Sequence, residues 1–325
     1  MIYVYFVTIV VSFALLFKSA SFFVEGASGI AKVMMVSKMI VGIVLVSMAT
    51  TAPEFFVSVI SAFLGKPEFA LGNAVGSVIC DDGVALALAA LLAPTAIFVD
   101  CRVIKTVGVF LLSIDILAFI LARNGTIGRL EGLIFVVILF SYYFVIFKRK
   151  DLMIDEDGQG NERKRKKIDS SSKRSQLKRP LLLFVGGLMG VVITSYGVVW
   201  GARHIAEYFS LSETVIGLLV LAVGTSLPEI STCVTAALKG EGEIAVGNII
   251  GADILNVLWI IGVSSIVNPI KVELKVMNFT FPYMILIVTV MLVAMRIGCR
   301  LGKIKGLILF GLYVFYVFLA LKLFI

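Results

Sequence analysis

Histidine is nearly absent from the 325 residues, His204 being the only one. That scarcity excludes a histidine-held zinc site and a histidine-based proton relay. The four cysteines, Cys80, Cys101, Cys233 and Cys299, form no C-x-x-C pair and no disulfide framework. The expectation for each is a free thiol, buried or at an interface. Short strands of alternating polarity are missing, which excludes a membrane β-barrel. Charge is scarce as well, at 15% of residues. Of the net +8, the stretch Lys148 to Arg179 alone supplies +6, from 12 Lys/Arg and 6 Asp/Glu. The basic excess is therefore mostly one loop. It fits the positive-inside pattern of membrane proteins better than a nucleic-acid surface.

What the chain has in abundance is apolar sequence: 60% of residues are hydrophobic. Apolar runs of span length recur throughout, which reads as an all-α polytopic membrane protein. Ten spans are expected, near 3–26, 33–64, 69–94, 102–123, 129–147, 180–207, 212–238, 243–267, 275–296 and 304–324. Met1 to Ala20 has the look of a signal-peptide core, but no Lys or Arg precedes its apolar run, so it is read as a retained first helix. The expected organisation is a first five-helix half (1–147), a basic linker (148–179) and a second five-helix half (180–325). The linker is rich in Ser, Gly and charge, and the default for it is a flexible cytoplasmic segment. A lipid-binding role for Arg163 to Lys167 is the less favoured alternative. With both termini outside, inner loops hold 21 Lys/Arg and outer parts 7; without the long loop the ratio is 9 to 7.

The halves are repeats. A shift of 175 positions lays Gly42 on Gly217, Thr50 on Thr225, Pro53 on Pro228 and Glu54 on Glu229. It also lays Gly72-Asn73 on Gly247-Asn248 and Gly76 on Gly251. Between 42–81 and 217–256, 13 of 40 positions are identical. An odd number of spans per repeat forces the two copies into opposite orientation. Inverted repeats with broken helices at the midplane mark a transporter.

Each repeat places an acid, Glu54 or Glu229, inside an apolar segment. An acid at that depth is costly and points to function. Pro53 and Pro228 have no N–H to give the carbonyls four residues back, which leaves those oxygens free. A second motif follows, Gly72 to Asp81 in one copy and Gly247 to Asn256 in the other. Thr50 shares a helix face with Glu54, Ser77 with Asp81, and Thr225 with Glu229. Joined at a pseudo-twofold axis, these segments would make one oxygen-rich cage. Glu54, Glu229, Asp81 and Asn256 would stand at its centre, with Thr50, Thr225, Ser77 and backbone carbonyls around them. Such a donor set suits Ca²⁺, which takes six to eight oxygens, better than Mg²⁺. Soft ligands are too few for copper or zinc.

At these residues the chain resembles the sodium/calcium exchanger family of the cation/calcium antiporters. Ala49 to Glu54 and Gly224 to Glu229 look like its two signatures. Asn124 to Gly132 looks like its connection between the fourth and fifth helices, with Asn where Asp is usual. The resemblance implies ten helices in two inverted five-helix repeats and electrogenic exchange of Na⁺ for Ca²⁺ across the plasma membrane. It implies ion ligands at Thr51 and Ser226 besides those above, and backbone carbonyl ligands at Ser47 and Ala222. Ca²⁺ and Na⁺ would be the transported ions, with no organic cofactor and no nucleic-acid partner, in a lipid bilayer, and with one copy sufficient for transport. An enzyme is not expected.

The chain departs from the family pattern in places. Position 81 holds Asp and position 256 Asn, where bacterial and archaeal members often have the reverse. Ala252 replaces a frequent Ser, which weakens one peripheral Na⁺ site. The proton/calcium branch carries an acid where Gly76 and Gly251 stand, which argues against the alternative of H⁺ coupling. Asp82 is expected behind the ligands or in an aqueous cavity, and Asp253 in hydrogen bonds. Lys18 and Asp115 are more readily read as separate than as a buried ion pair. An intramembrane aspartyl protease needs two apposed Asp sharing a proton, and its Tyr-Asp plus Gly-x-Gly-Asp pattern is absent. A channel usually builds its filter around an axis of several subunits, unlike a two-repeat chain with a midplane cage.

Overall fold

The computed structural model describes residues 2–148, 170–208 and 222–324. In chain order they form α1 (Ile2–Met34), α2 (Lys38–Thr50), α3 (Ala52–Phe63) and α4 (Pro67–Leu92), then β1 (Ile97–Phe98) and α5 (Cys101–Ala122). Next come β2 (Thr126–Ile127), α6 (Arg129–Lys148), α7 (Ser170–Tyr208), α8 (Ala222–Thr225) and α9 (Leu227–Leu238). The chain ends with α10 (Gly242–Val267), β3 (Ile270–Lys271), α11 (Val276–Cys299), β4 (Arg300–Leu301) and α12 (Lys303–Phe324).

Among the described residues, eight helices are long and apolar enough to cross a membrane, and the bent pair α2–α3 makes a ninth span. The expected seventh span is described only from Ala222, as α8 and α9. Within the expected linker 148–179, the stretch from Ser170 is helical and continuous with α7. The rest of that linker, with its Arg163 to Lys167 run, lies outside the described residues.

Breaks occur where the sequence supplies them. At Thr51 (ψ −2°) the helix is interrupted, and α3 starts again with Pro53 in its first turn. The two halves meet at 46°. Ser226 (ψ 7°) and Pro228 repeat the break in the second half. Proline at the start of a helix loses nothing, since that N–H would have no intrahelical partner.

The centre of the molecule is α4 and α10, whose most apolar stretches are 78% and 83% buried, against 17% for α12. Glycine makes the central packing possible. A Cβ at Gly247 would strike the Met39 carbonyl and Gly42, and one at Gly251 the Ile43 carbonyl and Ser47. The backbone of α10 therefore lies directly on α2. Outside this core, α1 and α7 run along each other. Gly26 and Gly187 face the backbones of Phe184 and Phe23. At about 1.5 Å per residue both helices exceed a hydrocarbon core of about 30 Å, so they cross obliquely or project beyond it.

Two short antiparallel ladders tie the halves together. One pairs Ile97 with Leu301 and Phe98 with Arg300; the other pairs Thr126 with Lys271 and Ile127 with Ile270. They are pseudosymmetry mates, and Val99 N–H to the Cys299 carbonyl is matched by Val272 N–H to the Gly125 carbonyl. The first ladder corrects the expectation of four free thiols: Cys101 and Cys299 form a disulfide, with Cα atoms 5.4 Å apart. The residues are 198 apart in sequence, and only the β1–β4 pairing brings them within bonding distance. Cys80 and Cys233 are free and buried, as expected.

Candidate cation site

Glu54 lies in the first turn of α3 and Glu229 in the first turn of α9, each 1% exposed. The free N–H groups at these helix starts favour negative charge. Glu54 has no hydrogen-bond partner at either carboxylate oxygen. Glu229 accepts a hydrogen bond at Oε1 from the Thr51 hydroxyl of the opposite repeat, at 3.2 Å, and its Oε2 has none. Asp81, also 1% exposed, is unpartnered. The three carboxylates lie within electrostatic reach of one another, and Ser226 stands beside Asp81. Among the described residues no three acidic, His or Cys side chains close on a single metal position. The acids are neighbours rather than a ready triad, so a cation here would also draw on hydroxyl, amide and carbonyl oxygens.

Asp81 and Asn256 occupy equivalent places, each opening a π-helical turn, Asp81–Leu86 and Asn256–Ile261. Such turns interrupt the regular backbone ladder and are frequent at functional positions. The Asn256 side-chain oxygen, the Ser77 hydroxyl and the Ser226 hydroxyl are all buried without a hydrogen bond. The Ser47 hydroxyl is engaged by its own helix, at 2.5 Å from the Ile43 carbonyl. Ala222 is the first residue of α8.

The threonines are held across the repeats. Thr50 donates to Asn248 Oδ1 at 3.1 Å, with a longer approach of 3.3 Å to the Ser47 carbonyl. Thr225 donates to Asn73 Oδ1 at 3.3 Å. Sequence reasoning missed these asparagines. The repeated Gly-Asn pair is visible in the alignment of the halves, but nothing in it shows that the amides meet the threonines.

A second group of acids lies next to Asp81. Asp82, Asp253 and Asp115 are all fully buried. Asp82 faces Asp253 and is within electrostatic reach of Asp115. For the hydrogen bonds expected of Asp253, the partner at hand is the Asp82 carboxyl. The charged neighbours of Asp253 are carboxylates, which offer acceptors and no donors while ionised. Lys18 is exposed on α1, so it does not pair with buried Asp115. His204 stacks on Tyr5, and its Nδ1 lies 2.8 Å from the Trp200 carbonyl.

Two interlocked halves, each with a broken helix and a buried acid, define a secondary transporter of the inverted-repeat class. Residues 4–148 and 179–322 match the family model for sodium/calcium exchanger proteins. The chain belongs to this family, a class of cation/calcium antiporters rather than of enzymes. It is 31% identical over 320 residues to the putative antiporter CaxA of Alkalimonas amylolytica, covering 96% of this chain and 97% of that one. It is 30% identical over 348 residues to the sodium/calcium exchanger MaX1 of Methanosarcina acetivorans, covering 97% of each. Among solved structures it superposes on the sodium-calcium exchanger NCX_Mj, soaked with 10 mM Na⁺ and zero Ca²⁺. The TM-score is 0.82 at 25% identity, covering 98% of this chain and 99% of that one.

Proposed function

We propose that the protein exchanges Na⁺ for Ca²⁺ by alternating access, through a cage built from Glu54, Glu229, Asp81 and Asn256. The observation that carries this reading is the set of buried carboxylates drawn from both halves, of which only Glu229 accepts a hydrogen bond, at one oxygen. A buried carboxylate without a cationic partner costs several kcal/mol or more, and among the described residues no basic side chain pairs with Glu54, Glu229 or Asp81. A cation that arrives and leaves accounts for that arrangement; a structural ion pair does not. Thr50, Thr51, Ser77, Thr225 and Ser226, with the carbonyls of Ser47 and Ala222, would complete the oxygen set. Three carboxylates carry enough charge for one Ca²⁺ or for several Na⁺ in turn.

The protein would work as a single copy in the cell membrane, with the 148–179 segment on the cytoplasmic side. The halves 1–147 and 180–325 would each supply one repeat. The test is Ca²⁺ uptake into proteoliposomes driven by an outward Na⁺ gradient, with a proton gradient of equal size as comparison. Uptake driven by Na⁺ alone is expected. Uptake driven by protons alone would assign the chain to H⁺ coupling, and uptake with no counter-ion gradient would indicate a channel.

A further inference from the structure

We infer that Asn73 and Asn248 are positioning residues for the cation cage, each setting the hydroxyl of the threonine in the opposite repeat. The inference rests on the exchange reading above and adds two residues to it. A threonine hydroxyl has one proton to donate and lone pairs with which to accept. As a cation ligand it must place its proton elsewhere. The Thr50 hydroxyl has three acceptors within reach: the Ser47 carbonyl at 3.3 Å, Asn248 Oδ1 at 3.1 Å, and Glu229. A proton given to Glu229 would occupy a carboxylate on which the cation depends. Asn248 takes it instead, which leaves the Thr50 lone pairs for the ion and spares Glu229, already an acceptor from Thr51, a second hydroxyl donor. Asn73 does the same for Thr225 across the pseudo-twofold axis, at 3.3 Å.

The amide orientation is set on one side by a further bond. Asn73 Nδ2 donates to the Ser58 hydroxyl at 3.0 Å, so Oδ1 is the atom presented to Thr225. In the second repeat the place of Ser58 is taken by Cys233, whose thiol approaches the Ala245 carbonyl at 3.7 Å. Asn248 Nδ2 is buried without a partner. Two equivalent asparagines therefore carry unequal support. Asn248 is the one whose orientation rests on its threonine.

A double-mutant cycle tests this, read as the Ca²⁺ half-saturation of Na⁺-driven uptake by purified protein in liposomes. Asn248→Leu is expected to raise half-saturation about tenfold, the worth of roughly one hydrogen bond. In a Thr50→Val background there is no hydroxyl to direct, and Asn248→Leu is expected to change nothing further. A merely structural role for Asn248 would raise half-saturation by the same factor in both backgrounds, which overturns the inference. So would an unchanged value in Asn248→Leu alone. If Asn248→Leu does not yield folded protein, the cycle of Asn73→Leu with Thr225→Val decides by the same criterion. The unsubstituted protein is measured first. Absence of Na⁺-driven uptake there overturns the exchange reading itself, whereas an additive cycle in an active exchanger overturns only the role of the asparagines.

Discussion

At the scale of single residues, the site is a problem of charge. Glu54 and Glu229 were legible in the sequence because an acid beside proline inside an apolar run has few structural uses. Glu54→Gln and Glu229→Gln preserve shape and remove one charge from the ion. Each is expected to cut Ca²⁺ exchange at least about 100-fold, as loss of a charged ligand at roughly 3 kcal/mol implies. The folded protein should survive, since among the described residues no basic side chain loses a partner. Near-normal flux in either purified variant would sink the cage. Asp81 and Asn256 open equivalent π-helical turns, so the carboxylate should work from either position. The double swap Asp81→Asn with Asn256→Asp is expected to retain exchange. Asp81→Asn alone should weaken Na⁺ coupling more than Ca²⁺ binding, because several Na⁺ need more negative charge than one Ca²⁺. A dead double swap beside an unaffected single variant would show that charge is not what this position contributes. The asparagine–threonine bonds were not legible, since each joins residues 152 or 198 positions apart that only the folded repeats bring together.

At the scale of elements, the spans and their breaks followed from hydropathy and proline. The pairings between halves did not. Each ladder is two residues per strand, too short to leave a pattern, and its partners come from opposite halves of the chain. The disulfide shares that origin, which is why cysteine spacing concealed it. It also breaks the pseudosymmetry: only the β1–β4 ladder carries a covalent bond, whereas Gly125 stands opposite Val272 in the other. A cross-link over a long loop typically contributes about 2–5 kcal/mol. Cys101→Ser is therefore expected to lower the unfolding temperature of the purified protein, and reductant should lower wild type to the same value. An unchanged melting curve in both would mean that the ladder and the helices around it hold this contact unaided. Fast Na⁺-driven flux should persist in either case, because neither cysteine is in the cage.

At the scale of the whole molecule, two similar halves in opposite orientation raise the question of what decides which way the chain inserts. The answer lies outside the transport machinery. The family match covers 4–148 and 179–322 and skips the basic segment between them. With both termini outside, as expected, that segment would supply most of the Lys/Arg asymmetry, and without it the two sides would stand at 9 to 7. The positive-inside rule acts through such counts. Replacing Asp151 to Asp169 with a neutral Gly/Ser linker of equal length should therefore separate two properties. The linker keeps the ends at Lys148 and Ser170 joined, so molecules that insert correctly should retain Na⁺-driven Ca²⁺ flux. The replacement removes five of the segment's twelve Lys/Arg, so the expected count falls from 21 to 16 against 7; a larger share should insert the other way round, and a linker carrying several lysines should restore the original orientation. Labelling of a single cysteine placed in the linker, from one side of the membrane and then from both, measures the inverted fraction. Uniform orientation with the neutral linker would show that charges elsewhere set the topology. Loss of flux in correctly inserted molecules would give the segment a part in transport, which nothing in its composition supports: it has almost no apolar residue after Ile154 with which to dock.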